Sequence, residues 1–157
     1  QQTEKTHRIP TVSRTFSVSP MPHQVVDYLK DFGNAVEWDP GTQLCTRIDS
    51  GPIVQGASWR NVSKILGVTA ELTYTLDSLS ASNLVFVGKN KSSTSTEKIY
   101  VDAANTGSVI TYRNELEMHG LIALFNPVLK LYFEKLANDT EKKLTSVLNR
   151  LPIEEKK

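Results

Sequence analysis

The strict alternation of residues 68–77 limits the folds open to this chain more than any other feature of its sequence. Apolar and polar side chains take turns without a break: Val68, Thr69, Ala70, Glu71, Leu72, Thr73, Tyr74, Thr75, Leu76 and Asp77. Successive side chains of a strand point to opposite faces, so the segment predicts a strand with one apolar and one hydrated face. Antiparallel sheets covered on one side have this pattern.

Further segments with strand character occur on both sides of this one, separated by turn residues. They are residues 12–18, 44–49, 59–66, 83–89, 96–102 and 109–118. Gly51-Pro52, Gly67 and the Asn105-Thr106-Gly107 sequence are typical turn residues between them. The short spacing favours hairpins over the helical crossovers of a parallel sheet. The chain therefore predicts a large antiparallel sheet.

Helical periodicity appears before and after these strands. Apolar residues between Val25 and Phe32 predict a helix of about three turns that closes at Gly33. Residues 127–150 predict a long C-terminal helix with one broad apolar face, about 36 Å long at 1.5 Å per residue. This helix is expected to cover the apolar face of the sheet. Because sheets twist, the space between them is either filled by large side chains or open as a pocket.

Composition and charge narrow the classes of partner. The 157 residues, 39% hydrophobic and 22% charged, suit one globular domain at 10–152, with a flexible N-terminal segment at 1–9 and a tail at 153–157. Lys and Arg number 18 against 17 Asp and Glu, so we expect no nucleic-acid partner. No apolar run approaches the roughly 20 residues of a membrane span, so no stable membrane insertion is expected. The polar first residues predict a cytoplasmic location.

Residues suited to catalysis or metal binding are few. The single cysteine, Cys45, excludes an internal disulfide, and no histidine has an acidic or nucleophilic partner at motif spacing. His119 ends the last strand near the expected cavity mouth, and Arg14 is either an inward charge or a side chain that reaches water at a sheet edge. On the strands whose two faces we assigned, the carboxylates are expected on the hydrated face: Glu71, Asp77, Glu115 and Glu117. We therefore predict no catalytic residue, no metal and no cofactor.

Four short segments occur in a recognisable order along these elements. They are a proline-started helix after the first strand (19–29), a tryptophan-proline segment (34–40), a glycine turn (51–56) and the turn into the last strand (105–112). Their order resembles the START-like (SRPBCC) superfamily, which includes polyketide cyclases, lipid-transfer domains and plant hormone receptors. The resemblance implies an α+β helix-grip fold: a seven-stranded curved antiparallel sheet wrapped around a long C-terminal helix, with short helices after strand 1.

The resemblance also implies a cavity between sheet and helix that holds a hydrophobic or amphipathic small molecule. The alternation rule supplies the candidate ligand-binding residues, which form an apolar wall with a few polar groups. They are Trp59, Asn61, Leu72, Tyr74, Phe86, Tyr112, Asn114, Phe125, Leu129 and Tyr132. Aromatic residues also dominate packed cores, so pocket and packed core both stay open. Asn114 needs a partner, which is a tyrosine hydroxyl, buried water or a ligand oxygen.

Three functions fit these observations. We favour binding of a lipid, quinone or polyketide-like molecule by a monomer or weak dimer. The first alternative is an enzyme of the polyketide cyclase/dehydrase kind, and the second is a macromolecular interaction domain with a collapsed cavity. Binding is favoured over catalysis because no acidic side chain is assigned to the inward face.

Overall fold

A computed structural model of the chain describes residues 10–65, 67–119 and 127–152. The elements are β1 (Thr11–Val18), α1 (Pro22–Leu29), a 3-10 turn (Phe32–Asn34), α2 (Ala35–Trp38), β2 (Thr42–Arg47), β3 (Ser58–Ile65), β4 (Val68–Leu79), β5 (Asn83–Lys89), β6 (Ser93–Ala103), β7 (Ser108–Met118) and α3 (Pro127–Asn149). The strands form one antiparallel sheet in the order β1-β7-β6-β5-β4-β3-β2. The predicted α+β helix-grip architecture is confirmed. The segments 1–9 and 153–157 lie outside the described residues.

The alternation of β4 has the predicted consequence for burial. Leu72, Tyr74 and Leu76 are buried, whereas Glu71 is exposed and pairs with Arg60 across the hydrated face of the sheet. β6 and β7 have the same alternation, and their pairing runs along the whole of both strands. The apolar face of the sheet is therefore continuous across its centre.

The predicted three-turn helix near the N-terminus is shorter than expected. α1 ends at Leu29, and Asp31 interrupts the helix because its side chain accepts a hydrogen bond from the backbone of Gly33 at 2.9 Å. Such side-chain to backbone bonds compete with helical ones and favour turns. Phe32 therefore lies in a separate 3-10 turn, where its ring is fully buried.

Three strands also have limits that differ from the prediction by two or more residues. β2 spans 42–47 where residues 44–49 were expected, with a register shift between Thr42 and Leu44. Asp49 leaves the strand because its carboxylate accepts bonds from Arg47 and from the backbone of Ser58. β4 continues to Leu79 and β6 begins at 93, since polar residues such as serine are accommodated in a strand once a neighbouring strand pairs with them.

Helix α3 covers the sheet unevenly along its length. Its buried side chains begin at the middle of the helix and continue towards its C-terminus: Ala137, Thr140, Leu144 and Leu148. In the first half, Val128 and Leu131 are 68% and 71% exposed. The predicted helix is confirmed, but only its C-terminal half is packed tightly into the core.

Arg14 joins β1 to the middle of α3. Its guanidinium donates to the Glu134 carboxylate at 2.6 Å and to the Asn138 side chain at 3.0 Å, and 20% of its side chain is exposed. The sequence left open whether Arg14 is an inward charge or a side chain that reaches water at a sheet edge, and the structure favours the second interpretation. The arginine holds the helix at the sheet edge and does not carry charge into the core.

Replacing Arg14 with methionine is expected to lower the free energy of unfolding by about 1–2 kcal/mol, because charge-assisted hydrogen bonds are lost while the apolar stem is kept. Denaturant unfolding would measure the change. Arg113→Met is the matched control, since Arg113 is more exposed and, among the described residues, its guanidinium pairs with Glu115 alone, on the hydrated face. Equal losses in the two variants would contradict the role of Arg14.

Candidate ligand cavity

An aromatic cluster fills one end of the space between the sheet and the helices. Phe32 lies at its centre, with ring centroids 4.4 Å from Tyr74 and 4.6 Å from Phe86. Trp38 and Trp59 approach Phe32 edge-on at 6.0 and 6.1 Å. At this end of the groove the packed-core interpretation is correct.

The other end of the same space is open. It holds a cavity of about 330 Å³ between the central strands and α3. The described residues that line it are Val12, Asp39, Gly41, Ser63, Ile65, Val68, Ala70, Leu72, Tyr74, Ser93, Ser95, Glu97, Tyr112, Asn114, Leu116, Met118, Phe133, Leu136, Ala137 and Thr140. Mostly apolar walls with a few polar groups are typical of small-molecule sites.

Some of the candidate residues lie in the cavity wall and others do not. Those in the wall are Leu72, Tyr74, Tyr112 and Asn114. Trp59 and Phe86 face the same side of the sheet but contact each other within the aromatic cluster, with centroids 5.9 Å apart. Phe125 lies outside the described residues. The alternation rule identifies the inward face of each strand, but it does not indicate which end of that face remains open.

The residues that α3 contributes differ from those predicted. Phe133, Leu136, Ala137 and Thr140 line the cavity, whereas Leu129 and Tyr132 do not. Leu129 lies one helical turn before Phe133, and Tyr132 is rotated from Phe133 by about 100° around the helix axis. The described cavity wall thus includes the predicted helix from Phe133 onward, and a role of Leu129 and Tyr132 in ligand binding stays a prediction.

Glu97 is the feature of the cavity that the sequence analysis missed. It lies on β6, is 3% exposed and forms part of the cavity wall. Its Oε1 accepts a hydrogen bond from the Tyr112 hydroxyl at 3.2 Å and a longer one from the Asn114 amide at 3.5 Å. Asn114 also donates to the Ser95 hydroxyl at 3.2 Å. The partners of the Asn114 amide are thus Ser95 and Glu97, whereas a tyrosine hydroxyl was one of the three partners considered from the sequence.

A second chain of hydrogen bonds begins at Asp39, which is partly buried and also lines the cavity. Its carboxylate accepts from the Thr42 hydroxyl at 2.8 Å, and Thr42 in turn accepts from the Asn61 amide at 3.1 Å. Ser63 donates to the Asn61 oxygen at 2.5 Å. Asn61 is therefore inward, as predicted, but its polar groups are bonded within the protein, and the β3 residues that reach the cavity wall are Ser63 and Ile65.

Burial changes the acidity of the groups around the cavity. Loss of hydration raises the pKa of Glu97 well above its ordinary value, and the nearby Asp39 raises it further. Burial also raises the pKa of Asp39, although the bonds from Thr42 and Gly41 oppose this. Tyr112 has a raised pKa for the same reasons, burial first and Glu97 second. The cavity thus favours an uncharged Glu97.

The parity of β6 is the signal that identifies Glu97. Ile99 and Val101 are inward, so the residue two positions before Ile99 is inward as well. Faces were predicted for the neighbouring strands but not for β6, and no acid was expected to point inward. That conclusion is wrong, and the argument against catalysis that depended on it no longer holds.

The other residues considered from the sequence lie outside the cavity. His119 is exposed and contacts the Thr94 hydroxyl at 3.2 Å. Burial raises the pKa of the Cys45 thiol to about 12, which disfavours the nucleophilic thiolate. Within the part of the chain that the structure describes, no three His, Cys, Asp or Glu side chains cluster in a way that could hold a metal ion.

A curved antiparallel sheet around a long C-terminal helix, with an apolar cavity between them, defines a START-like helix-grip protein. The sequence belongs to one branch of this class. The family described as polyketide cyclase / dehydrase and lipid transport matches residues 10–151, and the chain is a member of it. Among curated proteins, none matches the chain significantly.

Solved structures with the same fold have very different sequences. A START superfamily protein from Mycobacterium smegmatis has a TM-score of 0.74 at 12% identity, over 90% of this chain and 99% of that one. The Zhui aromatase/cyclase from Streptomyces sp. R1128 has a TM-score of 0.71 at 13% identity, over 89% and 93%. The TTHA0849 protein from Thermus thermophilus has a TM-score of 0.66 at 11% identity, over 88% and 99%. At such identities the similarity concerns the fold alone.

None of the helices in residues 10–65, 67–119 and 127–152 combines the length and apolar character needed to cross a bilayer.

Proposed function

We propose that this protein binds a hydrophobic or amphipathic small molecule in the cavity between the sheet and α3. The observation that carries the proposal is the cavity itself, about 330 Å³ in volume, with walls that are mainly aliphatic and aromatic. Pockets for small ligands usually begin at about 300 Å³. The family description, which includes lipid transport as well as cyclase and dehydrase activity, supports the same proposal.

The distribution of polar groups supports an amphipathic ligand. Ser95, Glu97, Tyr112 and Asn114 form one hydrogen-bonded group in the wall. Leu72, Leu116, Leu136 and Phe133 are among the apolar residues of the same wall. A ligand with a polar group near Glu97 and an apolar body along α3 would satisfy both parts of the cavity.

Filling the cavity is expected to weaken binding. In Ala70→Trp the new ring would occupy the cavity, and the affinity for the uncharged fluorescent probe N-phenylnaphthylamine should fall by about tenfold or more, since the apolar surface available to the probe is lost. Fluorescence titration measures this. Thr69→Trp is the matched control, because Thr69 is the neighbouring residue on the exposed face of β4.

Saturable probe binding by the native protein and by Thr69→Trp, together with weak binding by Ala70→Trp, is the expected result. Equal binding by all three proteins would mean that the probe lies elsewhere. Native mass spectrometry of the freshly purified protein then identifies any ligand that accompanies it.

A cyclase-type enzyme is the second candidate, and Glu97 is the observation that favours it. A buried acid with a raised pKa, beside the Tyr112 hydroxyl, is suited to exchanging a proton with a bound molecule. Because cyclisation alone conserves mass, turnover of an added polyketone would be indicated by loss of water or by a changed fragmentation pattern, whereas recovery with the same mass and fragmentation would favour binding alone.

A further inference from the structure

The two oxygens of Glu97 have different surroundings. Oε1 accepts from Tyr112 and Asn114, whereas Oε2 is buried and has no hydrogen-bond partner among the described residues. Glu97 is almost fully buried and forms part of the cavity wall. A buried polar atom without a partner is costly, so Oε2 gains a hydrogen bond that the described residues do not supply if a ligand in the adjacent cavity reaches it.

The hydrogen bonds also indicate where the proton of the acid lies. Tyr112 and Asn114 donate to Oε1, so in the uncharged acid the proton belongs on Oε2. Burial raises the pKa of Glu97, which supports the uncharged form near neutral pH. Oε2 is then a hydrogen-bond donor, and its natural partner is an acceptor such as a carbonyl oxygen.

The charges of the wall limit the ligand further. Asp39, Tyr74, Glu97 and Tyr112 are the titratable side chains of the described wall, and all four are neutral or negative. Lys98 and Arg113 are engaged with Glu115 on the opposite face of the sheet. An anionic ligand would lose its hydration in a wall whose described side chains include no cation, so an uncharged molecule is favoured.

We propose that Glu97 determines ligand specificity by donating a hydrogen bond from Oε2 to a carbonyl oxygen of an uncharged, largely apolar ligand. The inference rests on the proposed binding function and adds to it the chemical class of the ligand and the residue that selects it. Tyr112 and Asn114 are positioning residues, because they hold Oε1 and so leave the proton on Oε2.

A matched pair of probes tests the inference. Valerophenone and pentylbenzene have the same carbon skeleton, but valerophenone has a carbonyl group at the position where pentylbenzene has a methylene group. Their affinities are measured by displacement of N-phenylnaphthylamine. In Glu97→Leu the affinity for valerophenone should fall by about tenfold, the effect expected for one buried hydrogen bond to an acid, while pentylbenzene should not bind more weakly.

Three further measurements sharpen the result. Glu97→Gln should recover most of the lost ketone affinity, because the amide donates a hydrogen bond. The carbonyl stretching band of bound valerophenone should lie at lower frequency in the native protein than in Glu97→Leu, since donation to the oxygen weakens the double bond. Glu115→Gln is the control, because Glu115 lies on the opposite face of the sheet with Lys98 and Arg113.

Each other outcome has a definite meaning. If Glu97→Leu weakens both probes equally, Glu97 has only a structural role and the inference is overturned while cavity binding stands. If phenylpentanoate binds as tightly as valerophenone at pH 7, the uncharged class is wrong. If neither probe displaces N-phenylnaphthylamine and Ala70→Trp does not weaken its binding, the proposed function fails and the inference fails with it.

Discussion

Replacement of Phe32 by alanine is expected to lower the free energy of unfolding by about 4 kcal/mol, within the range typical of a buried phenylalanine. The ring of Phe32 is fully buried and contacts the rings of Trp38, Trp59, Tyr74 and Phe86. Its loss removes apolar burial and leaves a void that rings on three strands and one helix cannot close by small movements. Urea unfolding at a fixed pH measures the change.

Phe133→Ala is the matched control for this prediction. The same atoms are removed, but Phe133 is only partly buried and faces the cavity. The expected loss is about 2 kcal/mol or less, because no new enclosed void is created. A Phe32→Ala variant that loses no more stability than Phe133→Ala would show that the aromatic cluster does not provide the rigid end of the groove.

The contrast between these two phenylalanines explains how the fold leaves space for a ligand. The turn between Leu29 and α2 places Phe32 against the sheet, and the second half of α3 closes the core from the other side. The first half of α3 has less to pack against, since its partners across the groove include small residues such as Ala70 and Ser95. The cavity lies between α3 and the part of the sheet that carries these small side chains.

Most of the fold could be predicted because its determinants are local. The alternation of apolar and polar residues in β4 and β7 indicates directly which side chains are buried. Turns such as the one containing Gly67 connect neighbouring strands that pair with each other. The end of α1 was harder to predict, because it depends on a single bond from the Gly33 backbone to Asp31 that no periodicity reveals. Several strand ends lie about two residues from their predicted positions for a similar reason, because pairing with the neighbouring strand determines where a strand ends.

The candidate site could be predicted only in part. Leu72, Tyr74, Tyr112 and Asn114 were found from alternation, but whether an inward aromatic residue fills or lines a space depends on contacts between distant segments. Trp59 and Phe86 are inward and yet are packed against Phe32, which comes from a turn far away in sequence. Glu97, by contrast, was accessible to the alternation rule on β6 and was missed because that rule was not applied there.

The buried acid has a consequence for stability that extends over several pH units. Glu97 has an ordinary pKa of 4.5 in the unfolded chain and a pKa well above this value in the folded protein. Between these two values the folded protein binds more protons than the unfolded chain, so the contribution of Glu97 to stability falls as the pH rises. It is fully present below pH 4.5 and is lost as the pH passes through the folded pKa.

Of the titratable groups that line the cavity with Glu97, one acts in the same direction and two do not titrate in this range. Asp39, which faces the cavity from the segment after α2, also has a raised pKa, although Lys143 on α3 opposes the shift. Tyr74 on β4 and Tyr112 on β7 titrate only in strongly alkaline solution. Asp49 and Glu71 have lowered pKa values because of Arg47 and Arg60, so they favour stability above their unfolded pKa and oppose the trend in acid.

Comparison of the native protein with Glu97→Gln isolates the contribution of this residue, since the other groups are common to both. The native free energy of unfolding should fall relative to that of Glu97→Gln by about 1.4 kcal/mol for each pH unit above 4.5, until the pH reaches the folded pKa. Denaturant unfolding at half-unit steps of pH measures the difference, and Glu115→Gln serves as the control on the hydrated face. Parallel curves for the native protein and Glu97→Gln would mean that Glu97 keeps an ordinary pKa in the folded protein. The carboxyl group would then be ionised at neutral pH and unable to donate a hydrogen bond from Oε2.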